Sequence, residues 1–311
     1  MNNLNFTIIS FYQFRKLLNL NRYKILLKEF CFFHKMRGTI LLAEEGINGT
    51  IAGFSSSSAL FEKKLKSLGF DNLELKYTYN KFMPFNRLKI KIKKSIITFS
   101  RSKLDVENNT AYHVSPKDWN KLIENKNTLI LDIRNEFEYE LGTFKKSFSP
   151  KIKKFSDFKK YIDHKLYPNK FENIAMFCTG GIRCEKASSY MLSKGFKNLF
   201  QLKGGILRYL KEVPKEKTKW KGECFVFDNR VAVKNDLAIG TYELCHGCRM
   251  PLSRKNRLST KYEKGVTCPK CFDKLSKDKM QRLRERNKQI EIAKQKGLYN
   301  PYIKFTPTDF S

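Results

Sequence analysis

The sequence has no long hydrophobic run and no recognisable leader. Its longest apolar runs, such as Phe30-Cys31-Phe32-Phe33, are far shorter than the roughly 20 residues that a membrane-spanning helix needs. Residues 1–5 contain neither a basic nor an apolar segment, so we expect no signal peptide and a reducing, cytoplasmic setting. In that setting cysteines serve metal binding or catalysis more often than disulfides.

Acidic residues are scarce. The 311 residues include 62 Lys and Arg but only 30 Asp and Glu, which gives a net charge of +32. This excess favours a polyanion such as nucleic acid as the partner, although an AT-rich coding sequence would enrich lysine in the same way. A hydrophobic content of 41% argues against a wholly disordered chain, and the length predicts two or three domains.

The first zone, residues 1–100, has the element order of a ferredoxin-like or acylphosphatase-like α+β domain. Its predicted strands cover residues 6–10, 39–43, 49–51, 73–77 and 88–94, and its predicted helices cover residues 21–36 and 57–68. Residues 87–93 alternate basic and aliphatic side chains, which predicts one core-facing and one cationic face. Such a strand fits an RNA-facing sheet or a lysine-protected edge strand, and we favour the edge strand.

The second zone, residues 105–219, has the pattern of a parallel α/β domain. Short apolar strands are predicted at 129–132 and 174–177, and each is followed by a loop and a helical segment. The Lys- and Phe-rich stretch 145–170 lies between these strands. We interpret this stretch as a solvated excursion.

The third zone, residues 220–311, combines four cysteines with a basic helix over 276–297. This helix suits either RNA binding or a solvated terminal position. The cysteines form two Cys-x2-Cys pairs, nineteen residues apart, which is the spacing of a zinc ribbon. Four thiolates would complete a tetrahedral structural site, whereas the alternative is a pair of redox dithiols. The predicted zinc ligands are Cys245, Cys248, Cys268 and Cys271.

His246 and the two unpaired cysteines outside the loop are not predicted to bind the metal. His246 lies inside the first Cys-x2-Cys pair and is interpreted as a bystander. Cys31 and Cys224 lie in apolar runs and are predicted to belong to the core.

The most informative motif begins at Cys178, between a predicted apolar strand and a predicted helix. A cysteine there meets converging backbone N–H groups and the positive end of the helix dipole, which favour the reactive thiolate. Arg183 adds a permanent positive charge. The sequence predicts a cradle for an anion on sulfur, and the alternative is an inert buried cysteine. The residues of the cradle loop are Thr179, Gly180, Gly181 and Ile182, whose glycines permit positive φ.

The spacing of the loop indicates which anion it holds. Cys178 and Arg183 form Cys-x4-Arg, one residue shorter than the Cys-x5-Arg loop of cysteine-dependent phosphatases. The smaller ring favours a persulfide or an oxidised sulfur over a phosphoryl group. Cys184 either resolves such a sulfur by forming a disulfide with Cys178 or is a small core residue.

This loop resembles the active-site loop of rhodanese domains. Asp132-Ile133-Arg134, followed by Glu138 and Gly142, resembles their second motif. The longer string Cys-Thr-Gly-Gly-Ile-Arg-Cys-Glu-Lys at 178–186 is similar to that of bacterial tRNA uridine-34 hydroxylases. Ile133 replaces the threonine usual in that family. The resemblance covers nearly all of the chain, with further matching segments at 41–53, 132–135, 202–207 and 225–230.

The resemblance implies a cytoplasmic oxidoreductase that uses dioxygen to form 5-hydroxyuridine at the wobble position of tRNA, with Cys178 as its active cysteine. The tRNA anticodon region is then the partner, and an electron or sulfur donor is left open as a second one. No segment resembles a flavin, haem or non-haem iron site, so no organic cofactor is expected.

Two further interpretations remain open at this stage. Asp132 and Arg134 either supply an electrostatic group to the cysteine loop or form a buried pair that orders it, and we favour the pair. The alternative functions are a rhodanese-type sulfurtransferase that passes persulfide sulfur from Cys178 to an acceptor, and a non-catalytic RNA-binding protein.

Overall fold

The computed structural model describes residues 6–100, 104–168, 170–298 and 301–302. Residues 1–5, on which the expectation about a signal peptide rests, lie outside these ranges. The strands are β1 (Phe6–Phe14), β2 (Arg37–Ala43), β3 (Gly46–Phe54), β4 (Glu74–Asn80), β5 (Leu88–Ile92), β6 (Tyr112–Val114), β7 (Thr128–Asp132), β8 (Gly142–Phe144), β9 (Asn173–Phe177), β10 (Leu199–Leu202), β11 (Trp220–Gly222), β12 (Cys224–Phe225), β13 (Ala232–Val233), β14 (Glu243–Leu244) and β15 (Pro251–Leu252). The α-helices are α1 (Leu20–Phe33), α2 (Ser55–Ser67), α3 (Pro116–Glu124), α4 (Glu136–Leu141), α5 (Asp157–Lys165), α6 (Ile182–Ser193), α7 (Gly205–Glu212), α8 (Arg254–Arg257) and α9 (Lys277–Gln295). No helix in the described part of the chain is both long and apolar enough to cross a membrane.

The N-terminal sheet has the strand order β4-β1-β3-β2-β5. Its first four strands follow the ferredoxin-like order, which confirms the predicted class of this domain. Strand β5 is added beside β2, parallel to it, and lies at the edge of the sheet as predicted. Helix α1 ends earlier than predicted, because Lys35 adopts a left-handed φ of 53° and turns the chain into β2.

The two faces of this sheet differ in chemistry. Ile9 aligns with Ile51 and Tyr77 on the face covered by α1 and α2. Ser10 aligns with Thr50 and Lys76 on the opposite face, which is polar. Because the side chain of Lys76 is nevertheless buried, another part of the chain must cover this polar face.

The central domain covers it. Its sheet has the order β6-β10-β9-β7, and all paired strands run parallel, as predicted. Helices α3 and α7 pack on one face, and α5 and α6 pack on the other. The prediction of a solvated excursion over 145–170 is wrong, because Phe158 and Ile162 of α5 are buried in the core; within this stretch, residue 169 lies outside the described ranges.

Residues early in the third zone contact the N-terminal domain, and the cysteine module follows them in the chain. The Asn229 N–H donates to the Pro84 carbonyl at 2.9 Å, and Arg230 Nη1 donates to Thr78 Oγ1 at 2.8 Å. Strand β4 is therefore held by Arg230 of the third zone. Helix α9 is largely exposed, and its Arg284 pairs with Glu263 in two hydrogen bonds.

Candidate active site and metal centre

Cys178 follows the last residue of β9, and α6 begins four residues later. Its sulfur is fully buried and accepts a hydrogen bond from the Gly181 N–H at 3.1 Å. The sharp turn requires Gly181, whose φ is 99°. The backbone N–H groups of Arg183 and Cys184 also point to this sulfur.

These donors set the ionisation of Cys178. Burial opposes formation of the thiolate, but the Cys184 thiol, the positive charge of Arg183 and the backbone N–H groups outweigh it and lower the pKa of Cys178 to about 6. Burial and the neighbouring Cys178 raise the pKa of Cys184, so this thiol keeps its proton and donates to the thiolate. These contacts therefore favour the thiolate form of Cys178 at neutral pH.

Arg183 supplies the expected positive charge, but it does so while paired with a carboxylate. Its guanidinium does not lie open to a ligand but donates to both carboxylate oxygens of Glu138, at 2.7 and 2.8 Å. Thr179 Oγ1 donates to Glu138 as well, at 3.2 Å. Although burial opposes ionisation, Arg183 holds the pKa of Glu138 below its usual range. Glu138 therefore fixes both ends of the loop, and Arg183 acts on Cys178 from a clamped position.

Asp132 and Arg134 form a buried pair. Both side chains are fully buried, and Arg134 donates to Asp132 Oδ1 at 2.9 Å and to Oδ2 at 2.6 Å. Arg134 Nη2 also donates to the carbonyl of Gly142 at 2.6 Å. The pair is buried, as the favoured interpretation expects. The two motif residues thus support the loop in different ways. Glu138 contacts the loop directly, whereas Asp132 holds Arg134, which in turn binds the Gly142 carbonyl.

Two further residues of the predicted loop, Gly180 and Ile182, are partly exposed. Gly180 faces open space, since an added Cβ would meet no atom within 4 Å. Ile182 is half-buried at the start of α6. From below, the N–H groups of Ile206 and Leu207 in α7 donate to the carbonyls of Cys178 and Thr179 at 3.0 and 3.1 Å. This approach requires Gly205, because a Cβ there would lie 2.6 Å from the Cys178 oxygen.

The N-terminal domain supplies the cover of the loop. Tyr12 of β1 donates from its hydroxyl to Glu185 Oε1 at 2.9 Å, and a Cβ on Gly181 would lie only 2.8 Å from that hydroxyl oxygen. The next residue, Lys186, donates to Glu45 Oε1 at 2.8 Å and to the Ile97 carbonyl at 3.0 Å. Consecutive residues of α6 thus bind the first domain.

Sequence reasoning missed Tyr12 and Glu185 as site residues. Glu185 also accepts from Gln201 Nε2 at 2.8 Å, and His113 Nε2 lies 3.0 Å from its other oxygen. Glu185 and Lys186 close the string on which the family resemblance was recognised, so their position in it was the available signal. Tyr12 carries no such signal, since one aromatic residue in an alternating strand looks like core.

The four paired cysteines converge. The sulfur atoms of Cys245, Cys248, Cys268 and Cys271 all lie within 4.8 Å of one another. Three of these sulfur–sulfur distances are 3.7 Å. A tetrahedral zinc ion with Zn–S bonds of about 2.3 Å has sulfur atoms about 3.8 Å apart, so the donor set and its spacing fit zinc.

The other cysteines and His246 occupy the expected places. Cys31 and Cys224 are fully buried, and burial raises the pKa of both to about 12, which confirms them as core residues. His246 is exposed and lies outside the converging group of sulfur ligands.

Two family models agree with this architecture. Residues 6–96 match the family model described as UPF0176 acylphosphatase like domain, and residues 115–212 match the Rhodanese-like domain. A solved structure of a rhodanese-related protein from Thermoplasma volcanium aligns with 33% of this chain and 93% of its own, at 23% identity and a TM-score of 0.27.

The cysteine loop at the end of β9 and the Glu138 clamp define a rhodanese-domain protein, here with an acylphosphatase-like domain above the loop. Over 296 residues the chain is 48% identical to the tRNA uridine(34) hydroxylase of Pelagibacter ubique (strain HTCC1062), covering 94% of this chain and 96% of that protein. It is 44% identical over 294 residues to the tRNA uridine(34) hydroxylase of Teredinibacter turnerae (strain ATCC 39867 / T7901), with 94% and 92% covered. The chain belongs to the tRNA uridine(34) hydroxylase family, as its sequence motifs predicted.

Proposed function

We propose that this protein hydroxylates uridine 34 of tRNA to 5-hydroxyuridine, with Cys178 as the reactive group. One atom of dioxygen enters the uracil ring, and the other leaves as water with two electrons and two protons from an external reductant. The observation that carries the proposal is the Cys178 thiolate, held by backbone donors in a chain of this family. A tRNA substrate favours a cytoplasmic location.

The loop residues have distinct proposed roles. Cys178 carries the reacting sulfur, as a thiolate or in a persulfidated or oxidised form, and the N–H groups of Gly181, Arg183 and Cys184 hold its negative charge. Arg183 stabilises that negative charge while its guanidinium is paired with Glu138. Cys184 donates a hydrogen bond and is positioned to resolve an oxidised Cys178. If a Cys184→Ser variant retained full turnover through repeated cycles, the resolving role would be wrong.

We further propose that each of the three zones has its own role. Residues 1–100 form the cover of the loop, residues 105–219 carry it, and residues 220–311 contain a structural zinc site and the basic helix. The four cysteines would hold zinc with no open coordination position, so the ion would stabilise the fold of this segment rather than act on substrate. The net charge of +32 favours binding of the tRNA anticodon region by electrostatic attraction.

The deciding experiment follows the origin of the added atom. Purified protein is incubated with tRNA and a two-electron reductant under isotopically heavy dioxygen, and the nucleosides are analysed by mass spectrometry. We expect heavy oxygen in uridine 34 with the wild-type protein and with Cys31→Ala, a matched buried-cysteine control, but not with Cys178→Ala. Activity without Cys178 would contradict its role.

The label also separates this function from the alternative transferase. A hydroxyl group and a sulfur-for-oxygen exchange add nearly the same nominal mass, so unlabelled gas would not distinguish them. An unlabelled, sulfur-containing uridine formed only with a sulfur donor would replace the proposal with a sulfurtransferase.

A further inference from the structure

The later zones leave part of the polar face of the N-terminal sheet accessible. Strand pairing aligns a row of hydroxyl side chains across this face, with Ser10 of β1 beside Thr50 of β3 and Thr39 of β2. All three residues are half-buried, so they belong neither to the core nor to a fully covered contact. The row continues to Lys89 of β5, three strand spacings or about 14 Å from β1.

The rows on either side are covered, which makes the hydroxyl row the floor of a groove. On one side Tyr12 is buried under the central domain, and Asn48 Nδ2 donates to the Ile96 carbonyl at 3.0 Å. On the other side the buried Thr78 accepts from Arg230 of the third zone. These two rows are four residues apart along β1, a width of about 14 Å at 3.4 Å per residue. One wall of the groove is thus the cover of the cysteine loop.

Two lysines of β5 lie at the outer end of the groove. Leu88 and Ile90 pack on the face covered by the helices, so Lys89 and Lys91 point to the polar face. Lys89 ends the hydroxyl row, and Lys91 ends the row of Tyr12. Within the described part of the chain, neither lysine forms an ion pair or a side-chain hydrogen bond. Both ammonium groups are therefore available to a ligand.

Two arginines add to the positive charge at this end. Arg87 is exposed directly before β5, and Arg249 belongs to the cysteine module, where its N–H donates to the Cys245 carbonyl at 2.8 Å. Burial lowers the pKa of Lys89, and the charges of both arginines and of Lys91 lower it further. A groove lined by charges of one sign concentrates the electrostatic potential and attracts the opposite charge. The opening therefore suits a polyanion.

We propose that this groove binds the sugar–phosphate backbone of the unpaired anticodon loop, with Lys89 and Lys91 on phosphates and the hydroxyl row along the strand that leads to the Cys178 site. This inference rests on the proposed function. Lysine, serine and threonine side chains are common donors to phosphate and sugar oxygens. The occupant is single-stranded because a wobble base must be unpaired to be recognised and modified. The lysines of β5 then serve recognition as well as protection of an edge strand.

The first test replaces both lysines at the groove. Full-length Lys89→Gln/Lys91→Gln is compared with Lys28→Gln/Lys63→Gln, which removes two exposed lysines from α1 and α2 on the opposite face of the sheet. The measurements are the Kd for tRNA and for an isolated anticodon stem–loop RNA, each as a function of salt, and thermal unfolding.

We expect the groove variant to bind both RNAs at least about tenfold more weakly, with an unchanged melting temperature. The slope of log Kd against log salt should become shallower by about 1.4, because each phosphate contact to a single strand contributes about 0.7. The control variant should stay within about twofold of the wild type, because charges beyond a Debye length are largely screened.

The second test places a negative charge on the floor of the groove. Thr39→Glu and Thr39→Gln add side chains of the same size beside Lys89, but only the carboxylate repels a phosphate backbone. We expect Thr39→Glu to weaken stem–loop binding at least about tenfold relative to Thr39→Gln. Equal binding by these two variants would show that the groove is empty in the complex.

Three other results would overturn the proposal. The first is equal binding by the groove variant and the control variant. The second is a loss confined to full-length tRNA, which would place the lysines on another part of that molecule. The third is the same loss in Lys89→Arg/Lys91→Arg, because strand packing rather than charge would then be responsible.

The same measurements separate this proposal from the proposed function. If the wild-type protein binds both RNAs but forms no 5-hydroxyuridine, the proposed function fails, and the binding data alone decide whether the groove holds the anticodon loop. If it binds neither RNA, both proposals fail.

Discussion

Tyr12 and Glu185 are 173 residues apart in the chain, yet their side chains share a buried hydrogen bond of 2.9 Å. Burial raises the pKa of Tyr12, and Glu185 raises it further, so the hydroxyl remains protonated and donates. Through this bond the first strand of the protein is fixed above the loop that carries the reactive cysteine. The site is therefore assembled between domains.

Removing the Glu138 carboxylate should destabilise the fold strongly. In Glu138→Gln the buried Arg183 loses its counter-charge, and we expect a loss of about 3–5 kcal/mol in the free energy of unfolding, measured with urea. Because the pKa of Glu138 is lowered in the folded state, its contribution is complete above the unfolded value of about 4.3 and is lost as pH falls through the folded value. The exposed Glu140→Gln should change stability by less than about 0.5 kcal/mol. Equal stabilities of the two variants would refute the clamp.

The Cys178 thiolate should titrate near pH 6, with its fraction rising as pH increases. In Cys184→Ala the sulfur loses a hydrogen-bond donor, so the pKa of Cys178 should rise. The ultraviolet absorbance of the thiolate, followed against pH, measures both values. Cys31→Ala removes a buried thiol far from the loop and should leave the midpoint unchanged; an unshifted midpoint in Cys184→Ala would exclude the donor role.

Tyr12 should control access to the loop. We expect Tyr12→Ala to increase the rate of Cys178 alkylation by iodoacetamide on the order of tenfold, because it removes the ring that covers Gly181. Tyr12→Phe keeps the ring and loses only the hydrogen bond to Glu185, so its effect should be smaller. Mass spectrometry of the Cys178 peptide gives the rates. Similar alkylation rates in the wild type and both variants would show that Tyr12 does not control access to Cys178.

The cysteine module should contain one zinc ion per chain, detected by elemental analysis and by native mass. Cys268→Ser removes one of four converging sulfur ligands and should release the metal. Hydrogen exchange should then increase within residues 243–275 and leave β9 unchanged. An untreated protein that carries no metal, with a mass that chelators do not alter, would contradict this expectation.

Much of the site could be predicted because its signals are local. The strand, the glycines and the arginine after Cys178 define the loop within a few residues, and the cysteine pairs define their module by spacing. The resemblance to rhodanese domains placed Glu138 in a motif, but the sequence did not predict its pairing with Arg183. The orientation of Arg183 could not be predicted, since a charged residue in a loop carries no information about its partner.

The contribution of the first domain could not be predicted for a physical reason. In β4, Leu75 and Tyr77 face the helices, so Lys76 between them has the pattern of a solvent-facing residue. It is buried only because the central domain covers that face, and this depends on packing between distant segments. The sequence did contain a signal for the contact between Arg230 and the first domain. Asp228-Asn229-Arg230 repeats the Asp-x-Arg spacing of Asp132 and Arg134, and its two charged residues form the same two-bond ion pair.

The position of Tyr12 near the start of the chain has a consequence for biosynthesis. Ribosomes add about 5–20 residues per second, so the strand that carries Tyr12 is made on the order of ten seconds before the cysteine loop. The N-terminal domain, whose strands all lie within residues 6–92, has time to fold in that interval. A newly made Cys178 therefore meets its cover as soon as its own domain forms, and the exposed lifetime of a thiolate that oxidants attack readily is short.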